Sequence, residues 1–348
     1  MGNMLDILQG HGRFELALEA RPKHAHRRVL FLSSGRNVVA DITAFLAASL
    51  SCQVIPCTVI AGNDPAEHQP GQVRESVFAL VRRHGITDVA VEWPSNAAVE
   101  LRDEICSCLL GLKVQGVRVH ELSHFCERVA GRLPLLHESV HGLISGSEYH
   151  FSRRWKRAKR LVDVVGAVFL LLLTWPLFLV AASAILATSP GPVLYRQDRV
   201  GLNGRIFRIA KFRSMRVDAE KDGSARFATR NDDRCTPVGR FLRSTRIDEL
   251  PQLFNVLVGD MSLVGPRPER PVFADGFKQS IPLYDLRHQV RPGITGWAQV
   301  KDAYAASEAE TRSKLSCDLF YVKNGSIWLD LRIMIQTVWV MIACQGSR

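Results

Sequence analysis

Between Val164 and Tyr195 the chain runs for 32 residues without a charged side chain, and Pro176 stands inside that run. As one straight helix the run would reach about 48 Å, well past a hydrocarbon core of about 30 Å. Proline lacks a backbone donor and clashes with the preceding turn, so the helix is expected to bend or break at Pro176. Each half is then short for a full crossing. Both flanks are positive: Arg153, Arg154, Lys156, Arg157, Lys159 and Arg160 before the run, Arg196 and Arg199 after it. Positive flanks stay on the cytoplasmic side. A re-entrant helix–break–helix over about residues 158–188, entering one leaflet and returning, satisfies both facts. A plain transmembrane helix is the alternative, and it would put the two flanking domains on opposite sides.

The formal net charge is +11. Twelve Lys/Arg and only two acids, Asp163 and Asp198, lie between Arg153 and Arg213, so +10 of that excess brackets the apolar run. Basic flanks around an apolar segment point to an anionic membrane surface and away from nucleic acid. The eight cysteines show no CxxC spacing and no histidine at zinc-finger distance, which fits reduced cytoplasmic thiols. The first 26 residues are polar and irregular, with no signal-peptide core.

From residue 27 to 123 a different rhythm holds. RVLFLSS, CQVIPCTVI, ITDVAVEW and VQGVRVHEL read as buried strands. VVADITAFLAASL, QVRESVFALVRRHG and AAVELRDEICSCLLG read as amphipathic helices between them. Alternation of this kind implies a parallel sheet covered by helices, a Rossmann-like outline. The dinucleotide fingerprint is missing. After the first strand SSGRNVVA offers only Gly35, and no acid closes the second strand, so the domain is degenerate and is not expected to bind NAD. Residues 124–152 are expected to be a connector.

Beyond the apolar run, QDRVGLNGRIFRIAKFRSM gives a strand ending in Lys211, Arg213 and Arg216. RSTRIDELPQLFNVL follows, with the adjacent acids Asp248 and Glu249. Thr245-x-x-Asp248 fits a capping box, so these acids either cap a helix or do chemistry. GDMSLVGPRPERP and VRPGITGWAQV then present Arg267 and Arg291 from rigid turns, suited to oxyanions. A carboxylate pair, a lysine and several arginines beside a membrane suggest chemistry on a phosphate ester, with Mg²⁺ as a fitting hard cation.

SPGPVLYRQDRVGLNGRIFRIAKFRSM, RSTRIDELPQLFNVLVGDMSLVGPRP, RPGITGWAQV and DLFYVKNGSIWLDLRIM closely resemble the bacterial sugar transferases, the monotopic polyprenyl-phosphate phosphoglycosyl transferases. The resemblance covers about Arg153 to Ile342, over half the chain. It implies an α/β chain with a degenerate Rossmann-like domain and a membrane-associated α+β catalytic domain at 153–348, docked on the inner leaflet at the cytoplasmic face. By this resemblance Asp248 is the nucleophile toward the β-phosphate of a UDP-sugar, releasing UMP, and polyprenyl (undecaprenyl) phosphate then takes the phosphosugar. Glu249 matches the acid that helps hold Mg²⁺. Lys211, Arg243 and Arg267 match the cations around the phosphates, and Pro176 matches the family's helix break. Arg291 is added on chemistry alone. Two rivals stand beside this reading: an inactive membrane-docked scaffold, and a direct ternary-complex transferase in which Asp248 only binds metal. The C-terminal WLDLRIMIQTVWVMI is either a core helix or an interfacial one. The sugar, the role of the Rossmann-like domain and association into a homo-oligomer stay open.

Overall fold

The computed structural model describes residues 14–16, 27–33, 52–59, 72–92, 99–133, 153–219, 232–301 and 308–342. The chain divides into two compact units, Met1–Ser147 and Glu148–Arg348.

In the first unit the β-branched and apolar runs pair as expected. Strands β2 (Arg27–Ser33), β3 (Cys52–Val59), β4 (Asp88–Val91) and β5 (Arg118–Glu121) are parallel, in the order β3-β2-β4-β5. Helices α1 (Gln72–His84) and α2 (Val99–Val114) lie between strands in sequence. Their apolar stripes close a core of Leu30, Val77, Val81, Val89, Ile105 and Leu112. Asp88 is buried at the start of β4, where a bidentate bond from Arg118 and the Thr87 hydroxyl offset its desolvation. The helix expected over VVADITAFLAASL lies outside the described residues.

Two boundaries differ from expectation. The N-terminal segment, expected to be irregular, supplies a three-residue strand β1 (Phe14–Leu16), antiparallel to β3. It pairs backbone groups that the edge of β3 would otherwise leave open. The expected connector begins as a helix, α3 (Leu122–Ala130), because Leu122, Phe125, Cys126 and Ala130 share one buried face. Gly131 ends it in the left-handed region.

In the second unit the apolar run forms α4 (Arg153–Thr188), 36 residues that stay helical through Pro176. The expected interruption is therefore not a gap between two helices. One stripe of α4 packs on the unit: Ala167, Leu170, Leu171, Phe178, Ala181 and Ile185. The rest, including Phe169, Leu172, Trp175, Leu179 and Val180, is exposed apolar surface. Gly166 lets α4 lie against Leu263, since a Cβ there would meet the leucine methyl.

Polar ties hold both ends of α4. Lys159 Nζ reaches Asp330 at 2.8 Å, and Asp163 accepts from Ser262 Oγ (2.8 Å) and Leu263 N (3.0 Å). Arg160 donates to the Val256 and Leu257 carbonyls. At the far end Arg213 donates to the carbonyls of Ser189 and Pro190, each at 2.8 Å.

Strands β6 (Leu194–Val200) and β7 (Ile206–Phe212) form an antiparallel hairpin whose register sets Tyr195 opposite Lys211 and Arg199 opposite Phe207. The hairpin turns through Asn203 and Gly204, both at positive φ. Helix α5 (Pro237–Ser244) and helix α6 (Gln252–Val258) flank a single 3₁₀ turn, Ile247–Glu249. The short parallel pair β8 (Ser262–Val264) and β9 (Gly293–Thr295) sits behind them. Helices α7 (Pro271–Ser280), α8 (Trp297–Lys301), α9 (Glu308–Asn324) and α10 (Ile327–Ile342) complete the unit. In α10 the inward face carries Asp330 and Ile333, while Trp328 and Trp339 are 81% and 69% exposed.

Candidate active site

The two acids sit on the 3₁₀ turn, and local chemistry explains the turn. Helix α5 is capped at its start by Thr236, whose Oγ1 accepts from Gly239 N at 2.9 Å, with Pro237 in the first turn. At its other end Thr245 Oγ1 donates back to the Phe241 carbonyl at 2.8 Å. Thr245 therefore closes the preceding helix and caps nothing after it. Arg246 takes a left-handed conformation, φ 57°, and reverses the chain before Ile247. The capping-box alternative for Asp248 is thus excluded. Ile247 and Leu250 pack with Ala181, Ile185, Phe212 and Leu242, so the turn rests on the second half of α4.

Asp248 and Glu249 are both 8% exposed but differ in their partners. Glu249 Oε1 receives Arg267 at 2.6 Å and Lys211 Nζ at 3.2 Å. Burial alone would raise Glu249, but these two cations hold it well below the usual carboxylate range. Among the described residues no side chain donates a hydrogen bond to Asp248. Burial, then the negative charge of Glu249, push its carboxyl up to about 6, against the pull of Lys211, Arg243 and Arg267. Burial likewise lowers Lys211, opposed by Glu249. The two adjacent acids are therefore shifted in opposite directions, Glu249 down by its two cations and Asp248 up by burial.

Lys211 is delivered by β7, which Asn255 stitches to α6: its Nδ2 donates to the Arg208 carbonyl at 2.8 Å and its Oδ1 accepts from Ala210 N at 3.0 Å. Arg243, on α5, acts on Asp248 through space while its Nη1 rests on Cys235 Sγ at 2.9 Å. Arg291 is not brought to the pair. Its Nε donates to the Gly259 carbonyl at 2.9 Å, where it caps the end of α6 beside Arg160. Pro176 lies on the exposed side of α4.

Sequence reasoning missed Arg199 as a neighbour of the site. Alternation along the hairpin puts Arg199, Gln197 and Tyr195 on the face of Lys211, a period-of-two signal that was available. Its charge reaches Lys211, and its Nη1 holds the Pro268 carbonyl at 2.9 Å. Among the described residues no group of three or more His, Cys, Asp or Glu side chains gathers to hold a metal unaided. Glu249, whose Oε1 meets Lys211 and Arg267, is a hard oxygen donor of the kind Mg²⁺ takes.

The site is thus a buried carboxyl, Asp248, beside a carboxylate held by Lys211 and Arg267, on a turn packed against the second half of the apolar helix α4. The sequence profile described as bacterial sugar transferase matches residues 154–344, and the chain belongs to that family. It is 46% identical over 235 residues to the UDP-N-acetylgalactosamine-undecaprenyl-phosphate N-acetylgalactosaminephosphotransferase of Aeromonas hydrophila, covering 67% of this chain and 54% of that protein. It is 46% identical over 183 residues to a UDP-glucose:undecaprenyl-phosphate glucose-1-phosphate transferase of Klebsiella pneumoniae, covering 52% and 39%. To the protein of that name from Caulobacter vibrioides it is 48% identical over 182 residues, covering 52% and 68%. The chain thus spans from about two fifths to two thirds of the length of these relatives.

Proposed function

We propose that this protein transfers a phosphosugar from a UDP-sugar to undecaprenyl phosphate at the cytoplasmic face of the membrane, a first membrane step of polysaccharide assembly. The observation that carries this reading is the asymmetry of the acid pair. Glu249 is neutralised by Lys211 and Arg267, whereas Asp248 is buried, receives no side-chain donor among the described residues and feels the charges of Lys211, Arg243 and Arg267.

In the first half-reaction an Asp248 carboxylate oxygen attacks the β-phosphorus of the UDP-sugar. The bond from that phosphorus to the bridging oxygen breaks, and UMP leaves with the electron pair. A phosphosugar ester on Asp248 remains. In the second half-reaction an oxygen of the lipid phosphate attacks the same phosphorus, the acyl phosphate bond breaks, and Asp248 returns as a free carboxylate. Lys211, Arg243 and Arg267 stabilise charge developing on the transferred group and screen two anionic substrates from an anionic nucleophile. Mg²⁺, held by Glu249 with the substrate phosphates, would supply further charge neutralisation.

Membrane return to the same side is supported by the ties of α4. Lys159 and Asp163 at one end and Ser189 and Pro190 at the other bind the same unit, so a crossing helix would pull one set of ties through the bilayer. The exposed tryptophans of α10 suit the interfacial alternative for that helix. Relatives of similar identity are named for different sugars, so identity alone does not select the donor.

The test is UMP release by purified protein in nanodiscs with undecaprenyl phosphate, across UDP-glucose, UDP-galactose, UDP-N-acetylglucosamine and UDP-N-acetylgalactosamine. An intact-mass adduct of one phosphosugar, formed without the lipid and lost in Asp248→Asn, is expected. Turnover with no adduct under single-turnover quenching would favour a direct ternary complex.

A further inference from the structure

Arg267 must present its guanidinium to Glu249 from a loop that cannot hold itself. The loop, Gly265 to Arg270, contains Pro266 and Pro268, which lack backbone donors. Its carbonyls are instead held from outside, one after another. Gly293 N donates to the Pro266 carbonyl at 2.9 Å. Arg287 Nη2 donates to the Arg267 carbonyl at 2.9 Å. Arg199 Nη1 donates to the Pro268 carbonyl at 2.9 Å. Val200 N donates to the Glu269 carbonyl at 2.9 Å. Four successive carbonyls thus meet donors from three separate segments: the end of β6, the stretch around Arg287, and β9.

The central donor is unusual in its surroundings. Arg287 is 6% exposed and lies far from bulk water. Its Nη2 also meets Asp318 Oδ2 of α9 at 2.8 Å, and its Nη1 donates to Tyr284 Oη at 2.7 Å. A neutral donor would suffice to hold one carbonyl. A planar guanidinium fork joins three acceptors that belong to three elements, and a lysine has no matching geometry. Burying that cation is tolerable because Asp318 compensates it.

We propose that Arg287, anchored by Asp318 and Tyr284, is a positioning residue for the transfer reaction: it fixes the main chain of Arg267 so that the Arg267 guanidinium stays on Glu249 beside Asp248. The kinetic side of this proposal rests on the reaction proposed above; the structural side does not. Arg287 itself touches neither acid.

Two measurements on the full chain in nanodiscs decide it. The first is hydrogen–deuterium exchange. Arg287→Lys is expected to speed exchange about tenfold in peptides covering 263–272 and to leave peptides from α4 and β7 unchanged. The second is a double-mutant cycle on kcat for UMP release. Arg287→Lys should lower kcat about tenfold when Arg267 is present and by less than about twofold in an Arg267→Ala background, because a residue acting through Arg267 has nothing left to position. The KM for the UDP-sugar should change less than kcat. If Arg287→Lys does not fold, Asp318→Asn, which keeps the guanidinium but weakens its anchor, carries both measurements with effects of about threefold. Unchanged exchange over 263–272 overturns the proposal whatever the kinetics. Equal losses of kcat in the two Arg267 backgrounds reduce Arg287 to general stability and overturn it as well. A wild-type protein that releases no UMP from any donor refutes the proposed reaction, and the exchange result then judges the clamp alone.

Discussion

Replacing Asp248 by Asn should make the protein more stable while abolishing turnover. In the folded chain burial and Glu249 raise Asp248 from an ordinary 3.8 to about 6. The folded state therefore binds the proton more tightly than the unfolded state. Stability is lost as pH rises from about 4 to about 6 and stays lost above that. The shift corresponds to at most about 3 kcal/mol at neutral pH. Asn keeps the shape and carries no charge, so it removes this penalty and also frees Glu249 from a like neighbour. For a unit of this size the gain would raise the melting temperature by about 5 °C or more at pH 8, shrinking to nothing near pH 4. The assay is thermal melting of both proteins in detergent with EDTA, from pH 4 to 8, with UMP release measured on the same samples. Adding Mg²⁺ should narrow the gap by stabilising the wild type more. An Asn variant no more stable than wild type at pH 8 would refute the account of Asp248 as a carboxylate whose burial and like-charged neighbour outweigh its nearby cations. Substantial UMP release by that variant would refute its role as nucleophile.

The neighbouring acid should behave in the opposite way. Glu249→Gln leaves Lys211 and Arg267 buried without their counter-charge, so it should destabilise by about 3 kcal/mol and inactivate, as melting and UMP release on one preparation would show. Cysteines placed at Arg154 and Arg196, exposed positions on either side of α4, should both resist an impermeant maleimide added outside intact cells and react after permeabilisation; labelling of one from outside would mean that α4 crosses. Trp328→Ser with Trp339→Ser should weaken flotation with anionic vesicles several-fold at an unchanged melting temperature, since both rings are exposed and hold no core contact of large area.

The parts that were legible in the sequence are those set by local rules. Apolar runs bounded by turn signals marked β2 to β5 and β7, and the turn before β7 falls where Gly201 and Gly204 stand, whereas β1, β6, β8 and β9 were not anticipated. Family motifs marked Lys211 as a cation for the phosphates, and its contact with Glu249 came only with the structure. What could not be read is where long or bifunctional side chains point. Thr245 sits three residues before Asp248, the spacing of a capping box, yet its hydroxyl finds the Phe241 carbonyl one turn back. That choice depends on Arg246 entering the left-handed region, which sequence spacing does not encode. Arg291 and Arg287 make the same point as a pair. Arg291, in a glycine–proline turn, looked like a presented cation and instead caps α6. Arg287, four residues earlier, carried no motif that sequence reasoning used, yet it touches the loop that aims Arg267. In α10 Asp330 meets Lys159 and Tyr321, so the helix has a buried face and turns both tryptophans outward, an orientation the sequence left open. The deepest limit is electrostatic. Asp248 and Glu249 are adjacent and nearly equivalent in the sequence. Their chemistry diverges only because Lys211, brought by a hairpin 38 residues upstream in the bonded pair, and Arg267, 18 residues downstream, converge on one oxygen of Glu249. The difference between the two acids is thus made by the partners the fold gives to Glu249 and by the burial of Asp248.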